Sequence, residues 1–246
     1  MDRIAFEIFG ISVMWYGVLI AFGMALGILL ALRRAKKVGF LEDDLLNVLL
    51  IAIPSGIVGA RIYYVVFNWS AYRGNLAKML DVRGGGLAIH GGLIAAIFVA
   101  WLYCKRKQIS ILEILDITAP SIILAQAIGR WGNFINQEAH GGPTDLPWGI
   151  LVDGVRVHPT FLYESFWNLA VFFILVLLRD RVFKRNGQTI GAYMVLYSLG
   201  RVWIEGLRTD SLMLGPFRVA QLVSFGMIAL GVFLYVRGKE KSLEIK

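Results

Sequence analysis

Residues Gly129 to Glu138, GRWGNFINQE, place an arginine, two asparagines and a glutamate at the end of an apolar run, and a later run ending at Glu205 carries Tyr197, Arg201 and Glu205 at intervals of four. Residues three and four apart share a helix face. Arg130, Asn133 and Asn136 therefore form one polar stripe, and Tyr197, Arg201 and Glu205 another. Arginine forks are planar, permanently charged and matched to a phosphate or a carboxylate. His90 adds a group able to take or give a proton. These types suit chemistry on an anion, provided the surrounding elements bring the stripes together.

Those elements belong to a membrane. Of 246 residues 57% are hydrophobic and 17% charged, with a mean hydropathy of +0.66, which exceeds the apolar share of ordinary soluble domains. The reading is an all-α, polytopic membrane protein, one integral unit over 1–246. Seven apolar segments are long enough, or nearly so, to cross ~30 Å of hydrocarbon as helices: 13–32, 45–67, 87–104, 113–136, 161–178, 190–207 and 217–236. No cleavable leader is expected, because the first run lacks a basic segment before it and is followed by RRAKK.

Loop charge orients the bundle. Segments 33–44, 105–111, 179–189 and 237–246 hold fifteen Lys and Arg, against six in 1–12, 68–86, 137–160 and 208–215. The N-terminus is thereby expected outside, on the periplasmic face, and the C-terminus in the cytoplasm. The net charge of +8 is explained by these flanking clusters rather than by nucleic acid. The single cysteine, Cys104, excludes an internal disulfide framework. Three scattered histidines, His90, His140 and His158, show no metal-ligand spacing, so neither a metal nor a cofactor is expected.

Four basic residues, Arg61, Arg130, Arg201 and Arg218, remain in or beside the spans. The expected topology sets Tyr16, His90, Arg130, Asn133, Asn136, Glu164, Arg201 and Glu205 at one outer level. Arg and Glu can pair between helices simply as packing glue. A cluster at common depth argues for function, because ionisable groups in a bilayer are costly. At headgroup depth the matching anion is a phospholipid phosphate.

The segments HGGLI (90–94), GRWGNFINQE (129–138), HPTFLYE (158–164) and YSLGRVWIE (197–205) resemble the signatures of the bacterial prolipoprotein diacylglyceryl transferases, and the likeness covers nearly the whole chain. Two positions depart from the usual pattern: Ala95 where the family commonly has glycine, and Phe161 where it commonly has glutamine. The resemblance implies transfer of the diacylglyceryl group of phosphatidylglycerol to the thiol of the lipobox cysteine in a preprolipoprotein signal peptide. A thioether forms and glycerol 1-phosphate leaves. The nucleophile belongs to the substrate, so Cys104 is a bystander.

On that resemblance His90 is the candidate base, and Arg130 and Arg201 stabilise the departing phosphate. Glu205 fixes an arginine or shares in proton transfer. Tyr16, Asn133, Asn136, Glu138, Tyr197 and Arg61 are expected to bind or orient substrate, and Gly141 to permit a tight turn in the outer loop. The implied location is the bacterial inner membrane, with the site toward the outer leaflet and membrane lipids as partners. A lipid transporter or flippase is the rival reading. Transporters usually hold their sites near the midplane between repeated halves, and no repeat is visible in this chain.

Overall fold

The computed structural model describes residues 2–82 and 85–240. The chain begins with strands β1 (Ile4–Ile8) and β2 (Ile11–Met14), then helices α1 (Trp15–Lys37), α2 (Glu42–Phe67), α3 (Trp69–Tyr72), α4 (Leu76–Leu80), α5 (Ile89–Lys107) and α6 (Ile111–Asn136). It continues through β3 (Ile150–Val152), β4 (Val155–Val157), α7 (Thr160–Leu178), β5 (Arg185–Asn186) and α8 (Gln188–Leu207). Last come β6 (Met213–Leu214), β7 (Phe217–Arg218), α9 (Val219–Arg237) and β8 (Lys239–Glu240). Each of the seven expected spans falls on one of the long helices α1, α2, α5, α6, α7, α8 and α9. Five of these, α1, α2, α6, α7 and α9, are long and apolar enough to cross a membrane. Helices α5 and α8 fall short of that measure, and they are the ones that carry His90 and the Tyr197, Arg201, Glu205 stripe.

Local chemistry fixes the helix ends. Helix α2 opens with Glu42, Asp43 and Asp44, and α5 closes with Lys105, Arg106 and Lys107, each set opposing the helix dipole at its own end. Pro54 and Pro120 lie inside α2 and α6, where each removes one helical hydrogen bond.

Two compact units are distinguished, Met1–Arg34 with Leu115–Lys246, and Ala35–Ile114. In the first, Ala119 and Ile123 of α6, Val171 and Leu175 of α7, Phe183, and Ile190 and Tyr193 of α8 form a buried apolar core. The start of α8 is held by Asp116, whose carboxylate accepts from the backbone N–H groups of Gly187 and Ile190 at 2.8 and 2.9 Å. Helices α8 and α9 approach until a Cβ on Gly191 would stand 2.6 Å from the Gly231 carbonyl oxygen, and one on Gly231 2.7 Å from that of Gly191.

The second unit is built on α2 and α5, which meet through small residues. A Cβ on Gly91 would stand 2.2 Å from the Tyr63 Cβ and 2.5 Å from the Gly59 carbonyl oxygen. Gly59 is equally constrained, since a Cβ there would come within 2.3 Å of the Ala95 Cβ. Alanine at 95 thus makes glycine at 59 necessary. Such close backbone approach is the usual packing device of helices in lipid.

Several of the connecting segments and helix ends meet one another. Arg3 donates to the Asn136 carbonyl (2.9 Å), and Gly141 is bridged to Arg208, so the first, fourth and sixth helix ends assigned to one face meet one another. Elsewhere Arg34 reaches Asp180 at 2.5 Å, and β5 pairs with β8. Arg83, Lys241 and Lys246, counted in the loop charges, lie outside the described residues.

Candidate functional site

The polar stripes of α6 and α8 converge on a residue of a third helix. Glu164, in the second turn of α7 and 4% exposed, lies with Oε2 2.6 Å from Arg130 Nε and Oε1 2.6 Å from Arg201 NH1. Arg201 turns its other terminal nitrogen to Glu205 Oε2, also at 2.6 Å and one helical turn along α8. Arg208, just beyond α8, points NH1 at Glu164 Oε1 (3.8 Å) and Nε at Glu205 Oε2 (3.9 Å). Two carboxylates buried this deeply are tolerable only with such partners.

Around this centre the GRWGNFINQE segment folds back on itself. Arg130 NH1 donates to Asn133 Oδ1 at 3.4 Å, and the Asn133 and Asn136 amides both donate to Glu138 Oε1, at 3.0 and 3.2 Å. Glu138 is aimed back at the helix end by left-handed backbone on either side, with φ of 53° at Gln137 and 56° at Ala139. Behind them, Trp131 donates to Ser165 Oγ at 3.1 Å, and Ser165 donates to the Ala127 carbonyl, which ties α6 to α7 next to Glu164. Phe161, the departure from the usual glutamine, is absorbed in an aromatic group, stacked on Phe134 at 4.7 Å and edge-on to Trp131 at 5.5 Å.

Tyr16 packs its ring onto the backbone of α6, where a Cβ on Gly132 would stand 2.2 Å from Tyr16 Cδ2. Tyr197 stacks on Tyr193 at 5.8 Å, one turn before Arg201. Gly141 does not adopt a left-handed turn. Its lack of a side chain is required by crowding instead, because a Cβ would come within 2.6 Å of His158 Cβ and 2.9 Å of the Leu207 carbonyl oxygen. An open recess of about 400 Å³, lined by Asp2, Trp15, Trp131, Phe134 and Ile135, adjoins this segment.

The outer rim carries a second ion pair. Arg208 Nε and NH2 grip Asp210 at 2.9 and 2.8 Å. Burial tends to raise the Asp210 pKa, but the hydrogen bond and charge of Arg208, with lesser help from its own backbone and His140, hold it below the usual carboxylate value. Arg208 is held above its ordinary value, because Asp210, Glu164 and Glu205 outweigh the opposing effect of burial. Arg218 closes α8 from behind, donating from NH1 to the carbonyls of Glu205 and, at 2.9 Å, Arg208.

His90 and Arg61 belong to the other unit. His90 is exposed at the second position of α5, its ring 6.4 Å from that of Tyr63. Arg61 is buried and fully engaged by backbone, donating to the carbonyls of Lys78 (2.6 Å), Met79 (2.9 Å), Gly85 (2.6 Å) and Gly86 (2.9 Å). Its guanidinium also lies over the Tyr72 ring at 5.1 Å. In this structure it ties down the segment that leads to His90.

Sequence reasoning grouped Glu164 with the other polar residues without giving it a role, and counted Arg208 only as a loop charge. Glu164 has no cationic neighbour at helical spacing on its own helix, only Thr160 and Asn168. The signal available was a lone carboxylate in a span otherwise as apolar as α7.

Comparison with known proteins agrees with the motifs. Residues 3–237 match the family model described as prolipoprotein diacylglyceryl transferase. A phosphatidylglycerol–prolipoprotein diacylglyceryl transferase of Clostridioides difficile is 57% identical over 242 residues, covering 98% of this chain and 97% of the relative. Proteins of the same name from Finegoldia magna and Clostridium novyi are 52% and 47% identical, each covering at least 98% of both chains. The apolar helices, the charge cluster at the ends of α6, α7 and α8, and full-length similarity lead to one assignment: this chain belongs to the prolipoprotein diacylglyceryl transferase family, and is a transferase.

Proposed function

We propose that the protein transfers the diacylglyceryl group of phosphatidylglycerol to the lipobox cysteine of preprolipoproteins, in the bacterial inner membrane. The seven long helices cross it with the N-terminus periplasmic and the C-terminus cytoplasmic, and the site faces the outer leaflet. The observation that carries this reading is the convergence of Arg130 and Arg201, from two helices, onto the two oxygens of one carboxylate. Two forks held that close form a receptor for a phosphate.

In the reaction the substrate thiol loses its proton, sulfur attacks the glyceryl carbon of the lipid, and the carbon–oxygen bond to phosphate breaks. The electron pair leaves with the phosphate, which departs as glycerol 1-phosphate, and a thioether remains. A thiol of ordinary pKa ~8.5 is mostly protonated at neutral pH, so a base is needed, and His90 is assigned that role. Charge on the phosphate rises by one as the bond breaks, which Arg130 and Arg201 stabilise most when the charge is greatest. Glu205 and Glu138 steady the arginine end of the site, and Asn133, Asn136, Tyr16 and Tyr197 shape the surroundings of the headgroup. The recess between Trp15 and Trp131 suits an acyl chain. Arg61 acts at a distance, by ordering the segment before His90.

A flippase would place its polar groups near the midplane. Here Arg130 lies two turns from the end of α6, Glu164 in the second turn of α7 and Glu205 two residues from the end of α8. Purified protein given phosphatidylglycerol and a lipobox peptide is expected to yield the thioether by mass spectrometry, together with glycerol 1-phosphate. A peptide with serine for the cysteine should give neither. Product formed from that serine peptide, or none from the cysteine peptide with folded enzyme, would overturn the reading.

A further inference from the structure

The arginine cluster poses a charge problem for any anionic ligand. Three guanidinia, Arg130, Arg201 and Arg208, are ion-paired with three carboxylates, Glu164, Glu205 and Asp210. The site is thus balanced before a ligand arrives. A phosphodiester brings one further negative charge, and an uncompensated charge away from water is costly. Because the Arg130 and Arg201 forks are already occupied, a carboxylate must yield them when a phosphate enters.

Glu164 is the carboxylate placed to do so. It offers two oxygens to two forks, as a phosphodiester would with its two free oxygens. The grip is also incomplete: Glu164 Oε2 and Glu205 Oε2 are buried without an aligned hydrogen-bond donor, although an arginine lies within ion-pair distance of each. A network balanced in charge but short of aligned hydrogen bonds loses less on re-pairing. An alternative partner waits nearby, since Arg208 NH1 is 3.8 Å from Glu164 Oε1.

We propose that Glu164 is a stand-in for the lipid phosphate: it holds the Arg130 and Arg201 forks converged in the unloaded site, and yields them to the headgroup by shifting toward Arg208. Glu164 is a positioning residue, acting through the two arginines rather than on the reacting atoms. Two consequences follow for the proposed transferase, on which this inference rests. A neutral headgroup cannot displace a carboxylate from two guanidinia, so the exchange selects for a phosphate with two free oxygens. After carbon–oxygen cleavage Glu164 returns to the forks and competes with glycerol 1-phosphate, which speeds its release.

The test compares the purified full-length wild type with Glu164→Gln, measuring glycerol 1-phosphate binding by calorimetry and steady-state turnover of phosphatidylglycerol with a lipobox peptide. Removing the competing charge should tighten glycerol 1-phosphate binding about tenfold, lower KM for the lipid and lower kcat. A merely structural role predicts the opposite for binding. Unchanged or weaker binding in folded Glu164→Gln overturns the stand-in while leaving the transferase reading intact. Wild type that neither binds glycerol 1-phosphate nor makes thioether removes the premise as well. Should Glu164→Gln not fold, infrared difference spectra of the wild type decide the matter, with Glu164→Asp as reference. Adding glycerol 1-phosphate should shift a carboxylate stretch that moves in the Asp variant, and no such shift would count against exchange.

Discussion

Two helix contacts in this protein close their gaps by opposite means. Helices α2 and α5 meet where side chains are missing, with Gly59 and Gly91 set so tightly that neither position has room for a methyl group. Helices α6, α7 and α8 meet at one end through fully charged side chains, with Glu164 shared by Arg130 and Arg201. The first contact is held by dispersion over closely approached backbone and has one arrangement. The second is held by ion pairs that can be exchanged for others of the same sign. A rigid contact suits presentation of a group such as His90, and an exchangeable one suits capture of an anion.

The largest expected effect lies in the exchangeable contact. Arg130→Ala or Arg201→Ala should lower turnover at least ~100-fold, the scale for losing a donor to a developing anion. Lysine at either position should not restore it, because a point charge cannot hold a carboxylate and a phosphate by one planar fork. Full activity in Arg130→Lys would sink the bidentate reading. On the other side, His90→Gln should cost roughly 100-fold or more in turnover if the residue is the base, with little change in thermal stability. Near-normal turnover in that variant would transfer the role to another group.

The rigid contact is tested by adding atoms. Gly91→Ala must push Tyr63 or the Gly59 backbone aside and is expected to cost about 1–3 kcal/mol, read as a lower unfolding temperature in detergent. Gly17→Ala is the control, since a Cβ there meets nothing within 4 Å, and alanine is the better helix former. Equal behaviour of the two variants would mean that the close approach of α2 and α5 contributes nothing. A smaller effect is expected of Arg61→Ala, which frees four carbonyls and should expose the 68–86 segment to protease about tenfold faster, for ~1.4 kcal/mol of lost local stability. Unaltered cleavage with lost lipid binding would instead give Arg61 a direct role at the headgroup.

The smallest effect concerns the rim. Asp210 titrates below its unfolded value, so its pair with Arg208 stabilises the folded state at neutral pH, and that stabilisation fades as pH falls through the folded pKa, below about pH 4. Asp210 is half exposed, which limits the gain to a fraction of what a buried pair gives. Wild type should therefore melt slightly above Asp210→Asn at pH 7, and the difference should shrink as the pH is lowered into the acid range. A difference that grows on acidification would contradict the assignment.

The long helices were legible because burial in lipid demands long apolar runs: each of the seven expected segments falls on a helix, five of which are long and apolar enough to cross a membrane. Sidedness remains an expectation from loop charge. The segment 137–160 was not legible, because its hairpin of β3 and β4 depends on pairing and not on hydropathy. Nor was the reason for Gly141, which answers to His158 and Leu207, residues 17 and 66 positions away.

By itself the sequence determined the residue types and their helical spacing, because these follow from periodicity and from the cost of charge in hydrocarbon. Arg130, Arg201 and Glu205 could be named that way. Only the tertiary structure decided that Glu164 is the residue on which the two arginines converge. A lone carboxylate on α7 has no cationic partner within its own helix, and the choice among arginines on other helices is settled by how α6, α7 and α8 pack.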